Sequence, residues 1–501
     1  MNRNAPGAST SCYYIVMFSR LIRYKERILS SFVYLILFLY SIFPYSDKDW
    51  GWHYRYGEYL LTQGKILTQD IFTWTMQGMK WANPSWLYDP LLYLLTKTVG
   101  YVGLSIIGAL VFVSTFYILI SNFKLSYWKK AILAFFFILI AQVAIGEGLR
   151  SQVLSLLFFS ILMSIIIKSL KNIKVIFFLP ILFLLWVNFH GDFAAGLGIA
   201  GLFLGSYFLI DLWKTKKFSR EKFLTLGATL LLSFAVTFIN PFGYHAYLEV
   251  LSNIGSPYIK NILEWLPIYD NCPYCHIYIF AIYSFTTLLL FVKRRNLYDI
   301  PYILAYLILL IPTIQTRRLL PIFLIVTMPV LCQILEEIVW NIDQFKVTSY
   351  AFFLIIVVCI EFAFFNRYSS DDLYHYSETD FANNLSSCSL NAVNYLLSHP
   401  PKGKGFNFYD WGGYLIGKGL PAKIYIDGRN LAMEQTGYMP FSGFISMYYQ
   451  NNYDLFNKYD FDWVFVQTNS NIANKLYYTK DLGNWKVEFS DTNATYFVRI
   501  R

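Results

Sequence analysis

The chain has 501 residues, of which 56% are hydrophobic, 20% aromatic and only 14% charged. A soluble domain carries about 25% charged residues. A chain this apolar cannot bury all of its apolar side chains in globular cores. The net charge of +10 comes from short clusters of Lys and Arg between apolar runs, a pattern that indicates membrane topology and not a nucleic-acid partner. We therefore predict a multi-spanning membrane protein.

About eleven apolar runs are long enough to cross a hydrocarbon core. Lys and Arg precede the first run and no small-residue cleavage site follows it, which indicates a retained anchor and a cytoplasmic N-terminus at 1–27. Alternating from there, the basic loops at 124–130, 168–174, 214–220 and 293–295 all fall inside, as the positive-inside rule requires. The runs lie at 28–45, 100–121, 131–146, 150–168, 173–190, 192–213, 222–240, 276–293, 299–315, 317–335 and 347–366.

This topology divides the chain into two parts. Residues 28–366 are predicted to form a transmembrane domain that includes a first outer loop at 46–99. The sequence is polar from 367 to 501, and an odd number of spans places this tail outside. We predict that the tail is a small α/β domain on the outer face of the inner (cytoplasmic) membrane. Its predicted elements are a helix at 389–398 and strands at 406–409, 423–427, 463–467, 485–489 and 494–500.

Under the same topology, the unusual polar motifs of the chain all lie at one face of the membrane. Polar residues that converge at membrane ends indicate a shared site. Carboxylates there can act as a general base or hold a divalent cation, and Arg and His match the charge of a phosphate. The motifs are Asp47-Lys48-Asp49-Trp50-Gly51-Trp52-His53, Glu147-Gly148-Leu149-Arg150-Ser151-Gln152, Trp186-Val187-Asn188-Phe189-His190-Gly191-Asp192, Asn240-Pro241-Phe242-Gly243-Tyr244-His245, Glu264-Trp265 and Gln315-Thr316-Arg317-Arg318.

Each motif also has a structural interpretation. Asp47 or Asp49 would cap a helix that starts at Trp50, and interfacial Trp, Tyr and Arg are ordinary residues of a membrane-interface belt. For Arg317 and Arg318 the alternative is anchoring to lipid headgroups.

One cysteine motif matches two unrelated patterns. Cys272-Pro273-Tyr274-Cys275-His276 fits both a c-type haem attachment site and a redox CxxC. Neither has its usual context, because no soluble haem domain and no βαβ frame surrounds the motif. A loop disulfide and two unpaired cysteines are the alternatives that stay open.

The first outer loop carries a spaced series of acidic, aromatic and glycine residues. It reads Asp47-Lys48-Asp49-Trp50-Gly51-Trp52-His53-Tyr54-Arg55-Tyr56-Gly57-Glu58, then Asp70-Ile71-Phe72-Thr73-Trp74-Thr75, Gly78, Trp81 and Trp86-Leu87. The series resembles the pattern D-x-D-x-W-W-H, G, D-x-F-S-x-T, G, W, W-L of a group of bacterial polytopic membrane proteins. That group is related to the GT-C glycosyltransferases, in the protein O-mannosyltransferase-like superfamily. Departures from the pattern of the group are Gly51, Ser85 and Ser151.

Later segments are similar to the same group, so the resemblance covers most of the chain. They are Arg150 with Gln152, Trp186 with Asn188, His190 and Gly191, Asn240 with Pro241 and Gly243, and the tail segments 409–415 and 426–429.

The resemblance implies a GT-C-like fold and an outer-facing active site. It implies transfer of a sugar from a polyprenyl- or dolichyl-phosphate donor in the bilayer to a glycan, lipid or protein acceptor. The catalytic role then falls to Asp47 and Asp49, one of which would hold Mg or Mn if a metal is present. Candidates for donor and phosphate binding are His53, Arg55, Arg150, His190, Arg317 and Arg318. Candidates for an acceptor-binding or structural role are Asp70, Trp86, Asn188, Glu264, Asp427 and Arg429.

Two functions of other classes stay open. A transporter or flippase of a lipid-linked saccharide would need ionisable groups near the bilayer midplane. The predicted spans contain few of these, since Glu147, Asp192 and Asp211 lie near span ends. The other alternative is a non-catalytic membrane scaffold for surface-polymer assembly.

Overall fold

The computed structural model describes residues 8–255, 262–270, 276–294, 296–337, 376–431 and 440–501. The part before residue 338 consists of helices that pack around a large apolar core. They are α1 (Ala8–Ser41), α2 (Trp50–Gln63), α3 (Tyr88–Ile120), α4 (Tyr127–Ile145), α5 (Ser151–Ser169), α6 (Leu179–Phe189), α7 (Phe193–Thr215), α8 (Arg220–Val236), α9 (His245–Gly255), α10 (His276–Arg294), α11 (Ile300–Gln315) and α12 (Leu320–Glu337). Short 3-10 helices lie at Ile173–Phe178, Leu263–Trp265, Leu297–Asp299 and Arg317–Leu319.

The predicted apolar runs agree with this helix pattern. Every run up to residue 335 coincides with a helix, and the run at 347–366 lies outside the described residues. The chain is therefore a multi-pass membrane protein, whereas the count of about eleven spans stays a prediction. Six of the described helical segments are long and apolar enough to cross a membrane: Tyr88–Ile120, Tyr127–Ile145, Ser151–Ser169, Phe193–Thr215, Leu297–Gln315 and Arg317–Glu337.

Helix α3 changes direction at Gly100. The backbone is not helical there, with φ at 63°, a region that residues with a Cβ rarely adopt. The predicted span begins at the same residue, so the bend separates the membrane crossing from the part of α3 that belongs to the outer loop. That preceding part lies against α2, where the Trp50 indole Nε1 donates to Thr96 Oγ1 at 3.3 Å.

The tail folds as an α/β unit, as predicted. Its strands are β1 (Gly405–Asn407), β2 (Trp463–Gln467), β3 (Trp485–Ser490) and β4 (Ala494–Arg499). They form one sheet in the order β1-β2-β4-β3, in which β1 is parallel to β2 and the other pairs are antiparallel. The accompanying helices are α13 (Glu378–Asn384), α14 (Leu390–Ser398), α15 (Tyr409–Gly417), α16 (Pro440–Tyr448), α17 (Asp454–Tyr459) and α18 (Asn471–Tyr478).

One local prediction in the tail is wrong. The segment 423–427 is not a strand of the sheet, and Ile424 instead forms an isolated parallel bridge with Thr73 of the first outer loop. This segment is placed by contacts with the distant first outer loop, which a local sequence pattern does not contain. Gly412 and Gly413 lie inside helix α15 at two close backbone approaches, where a Cβ on Gly412 would lie 2.1 Å from the Ile426 carbonyl oxygen and a Cβ on Gly413 would lie 2.2 Å from the Lys48 carbonyl oxygen.

The first outer loop and the tail share one hydrophobic core, separate from the core of the membrane helices. The rings of Tyr101 and Phe381 stack with centroids 4.2 Å apart, and Trp50 meets Phe381 edge to face at 5.3 Å. The Trp74 indole donates to the carbonyl of Gly405 in β1 at 2.9 Å. The tail is therefore packed onto the loop over a broad aromatic contact, and the predicted domain boundaries at 366 and 367 stay predictions.

Helices α2 and α15 touch backbone to backbone through three glycines. A Cβ on Gly51 would lie 1.7 Å from the carbonyl oxygen of Gly413, and a Cβ on Gly417 would lie 2.7 Å from Gly51 Cα. No side chain fits at this crossing, so the fold requires a glycine at position 51. The Lys48 ammonium reinforces the contact by pairing with the Asp410 carboxylate at 2.7 Å.

The glycine crossing predicts a sensitive position for stability. Gly413→Ala would place a Cβ 2.2 Å from the carbonyl oxygen of Lys48, so α15 has to move away from α2 at a cost of about 1–3 kcal/mol. We expect a clearly lower melting temperature for this variant in detergent. The control is Gly227→Ala in α8, where a Cβ meets no atom within 4 Å. Equal melting temperatures for both variants would show that the crossing does not support the fold.

Candidate active site

Asp47 and Asp49 lie in the short connection between α1 and α2. Asp47 is buried, and its Oδ1 accepts the backbone N–H of Asp49 at 3.1 Å. Asp49 occupies the residue before α2, yet its side chain makes no capping hydrogen bond. Its Oδ1 instead accepts the Trp52 indole N–H at 3.0 Å. The helix-capping alternative therefore does not explain the Asp49 carboxylate.

The guanidinium of Arg150 gathers four carboxylates from three separate segments. Its Nε lies 3.3 Å from Asp47 Oδ1 and its Nη2 lies 3.8 Å from Asp49 Oδ2. Its Nη1 lies 2.9 Å from Glu147 Oε2 and 3.2 Å from Glu264 Oε2. We call these five residues the Arg150 cluster. The loops that carry them follow α1, join α4 to α5 and precede α10, so the cluster lies at one end of the helical region.

Arg317 and Arg318 have different positions although they are adjacent. The Arg318 guanidinium pairs with Glu264, at the edge of the Arg150 cluster, and lies 4.9 Å from the centre of the Trp265 ring. The buried Arg317 guanidinium donates to the backbone carbonyls of Pro267 (3.2 Å) and Asp270. Arg317 thus holds the loop that carries Glu264, and Arg318 reaches the cluster itself.

His190 lies near the same edge. Its Nδ1 is 3.1 Å from the Asp192 carboxylate at the start of α7. Burial raises the pKa of Asp192, but His190 and then Arg318 outweigh it and lower that pKa to about 2. His190 and Arg318 therefore both act on the Asp192 carboxylate.

The Arg150 cluster and Arg318 together have an excess of negative charge, with four carboxylates against two guanidiniums. Burial raises the pKa of Asp47 to about 7, and the neighbouring Asp49 and Glu147 add to this while Arg150 opposes it. Burial also raises the pKa values of Asp49 and Glu147. Carboxyl groups with raised pKa values are strong enough bases to accept a proton near neutral pH.

The tail closes one side of the Arg150 cluster. A Cβ on Gly428 would lie 1.8 Å from Asp49 Oδ1, so only a glycine leaves room for this carboxylate. Next to Gly428, the Arg429 guanidinium binds Asp427 through Nε (2.8 Å) and Nη2 (2.6 Å), and it binds Asp70 of the first outer loop through Nη1 (2.8 Å). All three charged side chains are almost fully buried, so they join the tail to the loop.

Four further predicted site residues lie outside the Arg150 cluster. His53 Nδ1 is 2.6 Å from Asp89 Oδ1, and burial lowers the pKa of His53, which keeps its ring neutral. The Arg55 guanidinium donates to the Ile416 carbonyl at 3.0 Å, in α15. The Trp86 indole donates to Asn188 Oδ1 at 2.7 Å, which links the first outer loop to α6.

The structure also adds residues to which the sequence analysis assigned no role. Glu147 is part of a recognised motif, and its position three residues before Arg150 was the available signal. Gly428 and Asp192 contact site residues, but only the fold reveals it. Cys272 and Cys275 lie outside the described residues.

The Arg150 cluster does not fit the divalent cation considered for Asp47 or Asp49. Its carboxylate oxygens are the ligands that Mg and Mn prefer. The guanidinium of Arg150, however, already lies between them at 2.9 to 3.8 Å. Within the described part of the chain, no three carboxylate, imidazole or thiol groups are placed to hold one metal ion.

The pKa of Asp47 predicts a pH dependence of stability. An unfolded Asp has a pKa of about 3.9, whereas folded Asp47 has a pKa of about 7. The folded state binds the proton more tightly, so this contribution to stability is lost as the pH rises from about 4 through about 7. We expect Asp47→Asn to reduce the fall in melting temperature between about pH 5 and about pH 8. An unchanged fall would contradict the raised pKa, and Asp454→Asn at an exposed position is the control.

Comparison with known proteins places this site in a known fold. No protein-family model matches the chain, and no curated protein matches it in sequence. The archaeal oligosaccharyltransferase AglB from Archaeoglobus fulgidus, in complex with an inhibitory peptide and a dolichol-phosphate, superposes with a TM-score of 0.55 at 10% identity, over 89% of this chain and 69% of that chain.

Two further structures of the Archaeoglobus fulgidus oligosaccharyltransferase also superpose on this chain. The apo form has a TM-score of 0.52 at 11% identity, over 89% of this chain and 70% of that chain. The complex with Zn and sulfate has a TM-score of 0.50 at 11% identity, over 88% of this chain and 68% of that chain. The predicted GT-C-like fold is thus confirmed, and the chain shares the fold of these oligosaccharyltransferases.

Proposed function

We propose that this chain is a membrane glycosyltransferase that transfers a sugar from a polyprenyl-phosphate-linked donor to an acceptor at the outer face of the cytoplasmic membrane. The observation that carries the proposal is the Arg150 cluster, where carboxylates from three segments meet at one end of the membrane helices. Such a gathering of desolvated carboxylates stabilises no fold by itself, so a chemical role explains it better.

The fold and the topology support the choice of donor. One of the structures with the same fold contains a dolichol-phosphate and an inhibitory peptide. By analogy, the prenyl chain of the donor would lie in the bilayer beside the apolar helices and its phosphate at their ends. The acceptor would approach from the side of the tail and be a glycan, a lipid or a protein.

Within the Arg150 cluster, exposure distinguishes the two aspartates. The side chain of Asp49 is 28% exposed, whereas that of Asp47 is 2% exposed. A general base has to touch the acceptor, so we assign this role to Asp49. Asp47 positions Asp49 by accepting its backbone N–H and pairing with Arg150.

The proposed step is a direct displacement at the sugar. The lone pair of an acceptor oxygen or nitrogen attacks the anomeric carbon from the face opposite the phosphate. The bond from that carbon to the phosphate oxygen breaks, and its electron pair leaves with the lipid phosphate. Asp49 accepts the proton of the attacking O–H or N–H, and the sugar is transferred with inversion.

The leaving phosphate needs cations at the edge of the Arg150 cluster. The cluster itself would repel a phosphate, because its carboxylates outnumber its guanidinium. Arg150 is occupied by those carboxylates and Arg317 by backbone carbonyls. We therefore assign the phosphate to Arg318, which pairs with Glu264 at the edge, and to His190, which like Arg318 lowers the pKa of Asp192.

The assignment of the base predicts unequal effects of two matched substitutions. Asp49→Asn should lower transfer by about 100-fold or more, since the base is lost. Asp47→Asn should lower it less, because the base remains and only its positioning suffers. Glycan transfer in membranes, normalised to protein abundance, measures both, with Asp454→Asn as the control. Full transfer in both variants would show that neither carboxylate takes part in the reaction, and it would favour the flippase or scaffold alternative.

The assignment of the phosphate predicts how Arg318 responds to substitution. Arg318→Lys keeps the charge but loses the planar fork, so donor binding should weaken in part, and Arg318→Ala should weaken it further. Binding of a polyprenyl-phosphate sugar to detergent-purified variants measures this, and Arg220→Ala at the start of α8 is the control. If Arg318 only anchors the chain to headgroups, donor affinity will not change in either Arg318 variant.

A further inference from the structure

The Arg150 guanidinium occupies the place among four carboxylates where a divalent cation would lie. We propose that Arg150 is a built-in replacement for such a cation, so that the centre is neutralised by a side chain and binds no divalent metal. Arg150 has this role whichever group the centre transfers. One structure of the same fold was determined with Zn and sulfate. A chain of this fold that binds no divalent metal would therefore differ from that protein in how the charge of its carboxylates is neutralised.

All three nitrogens of the guanidinium face carboxylates. Nε faces Asp47, Nη2 faces Asp49, and Nη1 faces both Glu147 and Glu264, at 2.9 to 3.8 Å. A Mg ion needs oxygen ligands at about 2.1 Å on several sides. An ion at such distances from these oxygens would overlap the guanidinium, so Arg150 and a metal exclude each other.

The backbone around Arg150 holds it in this place. The Ser46 N–H donates to the Glu147 carbonyl at 3.2 Å, which ties the α4–α5 loop to the segment that carries Asp47. The Tyr88 hydroxyl donates to the Leu149 carbonyl at 2.9 Å. Hydrogen bonds thus hold the loop on both sides of Gly148, and the backbone from which the Arg150 side chain extends is fixed. A guanidinium also stays protonated at every physiological pH, so its charge is permanent.

Removing the guanidinium should expose a metal site. In Arg150→Ala, the four carboxylates would surround a vacated space lined by oxygen, with Arg318 as the remaining cation of the cluster edge. Oxygen-lined sites of high negative charge bind Mn and Mg. We therefore expect this one substitution to convert the centre from metal-free to metal-binding.

The test is Mn²⁺ binding to the detergent-purified full chain, measured by the loss of the free Mn²⁺ signal in electron paramagnetic resonance. Wild type should show no Mn²⁺ binding at the cluster, and Arg150→Ala should gain one bound ion, with an affinity at least about tenfold above that of any other Mn²⁺ binding by wild type. Adding Asp47→Asn and Asp49→Asn to Arg150→Ala should abolish the gain, which locates the ion. Arg150→Lys keeps a positive charge and should show no gain.

Two results would overturn the proposal. One is Mn²⁺ binding by wild type that Asp49→Asn removes, and the other is an Arg150→Ala chain that folds without gaining Mn²⁺. If Arg150→Ala does not fold, Arg150→Met keeps more of the side-chain volume, and a rise in its melting temperature with Mn²⁺ reports the same gain. Binding is measured without donor or acceptor, so these results are independent of the proposed transfer.

Discussion

The balance between the Arg150 guanidinium and the carboxylates around it is the interaction on which the rest of this site depends. Four carboxylates at one end of a membrane protein repel each other, and burial raises the free energy of each charge. One guanidinium that contacts all four, at 2.9 to 3.8 Å, offsets part of this cost. The part of the cost that Arg150 does not offset shows in Asp47, whose pKa rises to about 7. Arg150 therefore both holds the cluster together and leaves it basic enough to accept a proton.

The rest of the molecule serves to bring these segments together. The membrane helices place the loops at one end, and the tail then covers this end through the shared aromatic core. The Gly51–Gly413 crossing lets α15 lie against α2. The Asp70–Arg429 ion pair also joins the first outer loop to the tail. Gly428 leaves the space that Asp49 fills. The tail is thus part of the wall of the candidate active site.

Much of the architecture could be predicted because apolar runs and alternating strands are local features. The predicted apolar runs up to residue 335 fall on helices, and the strands β1 to β4 appear where the sequence indicated. The convergence of Asp47, Arg150 and Glu264 on one face followed from the topology alone. Their pairing did not, because the three residues are more than a hundred positions apart and a single sequence carries no information on such contacts.

The same limit explains the differences at individual residues. Arg150 is one of the candidates for phosphate binding because its chemistry suits phosphate and carboxylate equally, and only the fold shows that carboxylates surround it. The segment 423–427 was predicted to be a strand of the sheet from its local pattern. Ile424 instead pairs with Thr73, which lies over 350 residues earlier in the chain.

The most direct test of the central claim is an experimental structure of the chain in lipid nanodiscs with a polyprenyl-phosphate-linked sugar. We expect density for the phosphate in contact with Arg318 and His190, the anomeric carbon directed at Asp49, and the Arg150 guanidinium still between the carboxylates. A donor bound at another surface, with the Arg150 cluster untouched by it, would contradict the claim that this cluster is the reaction centre.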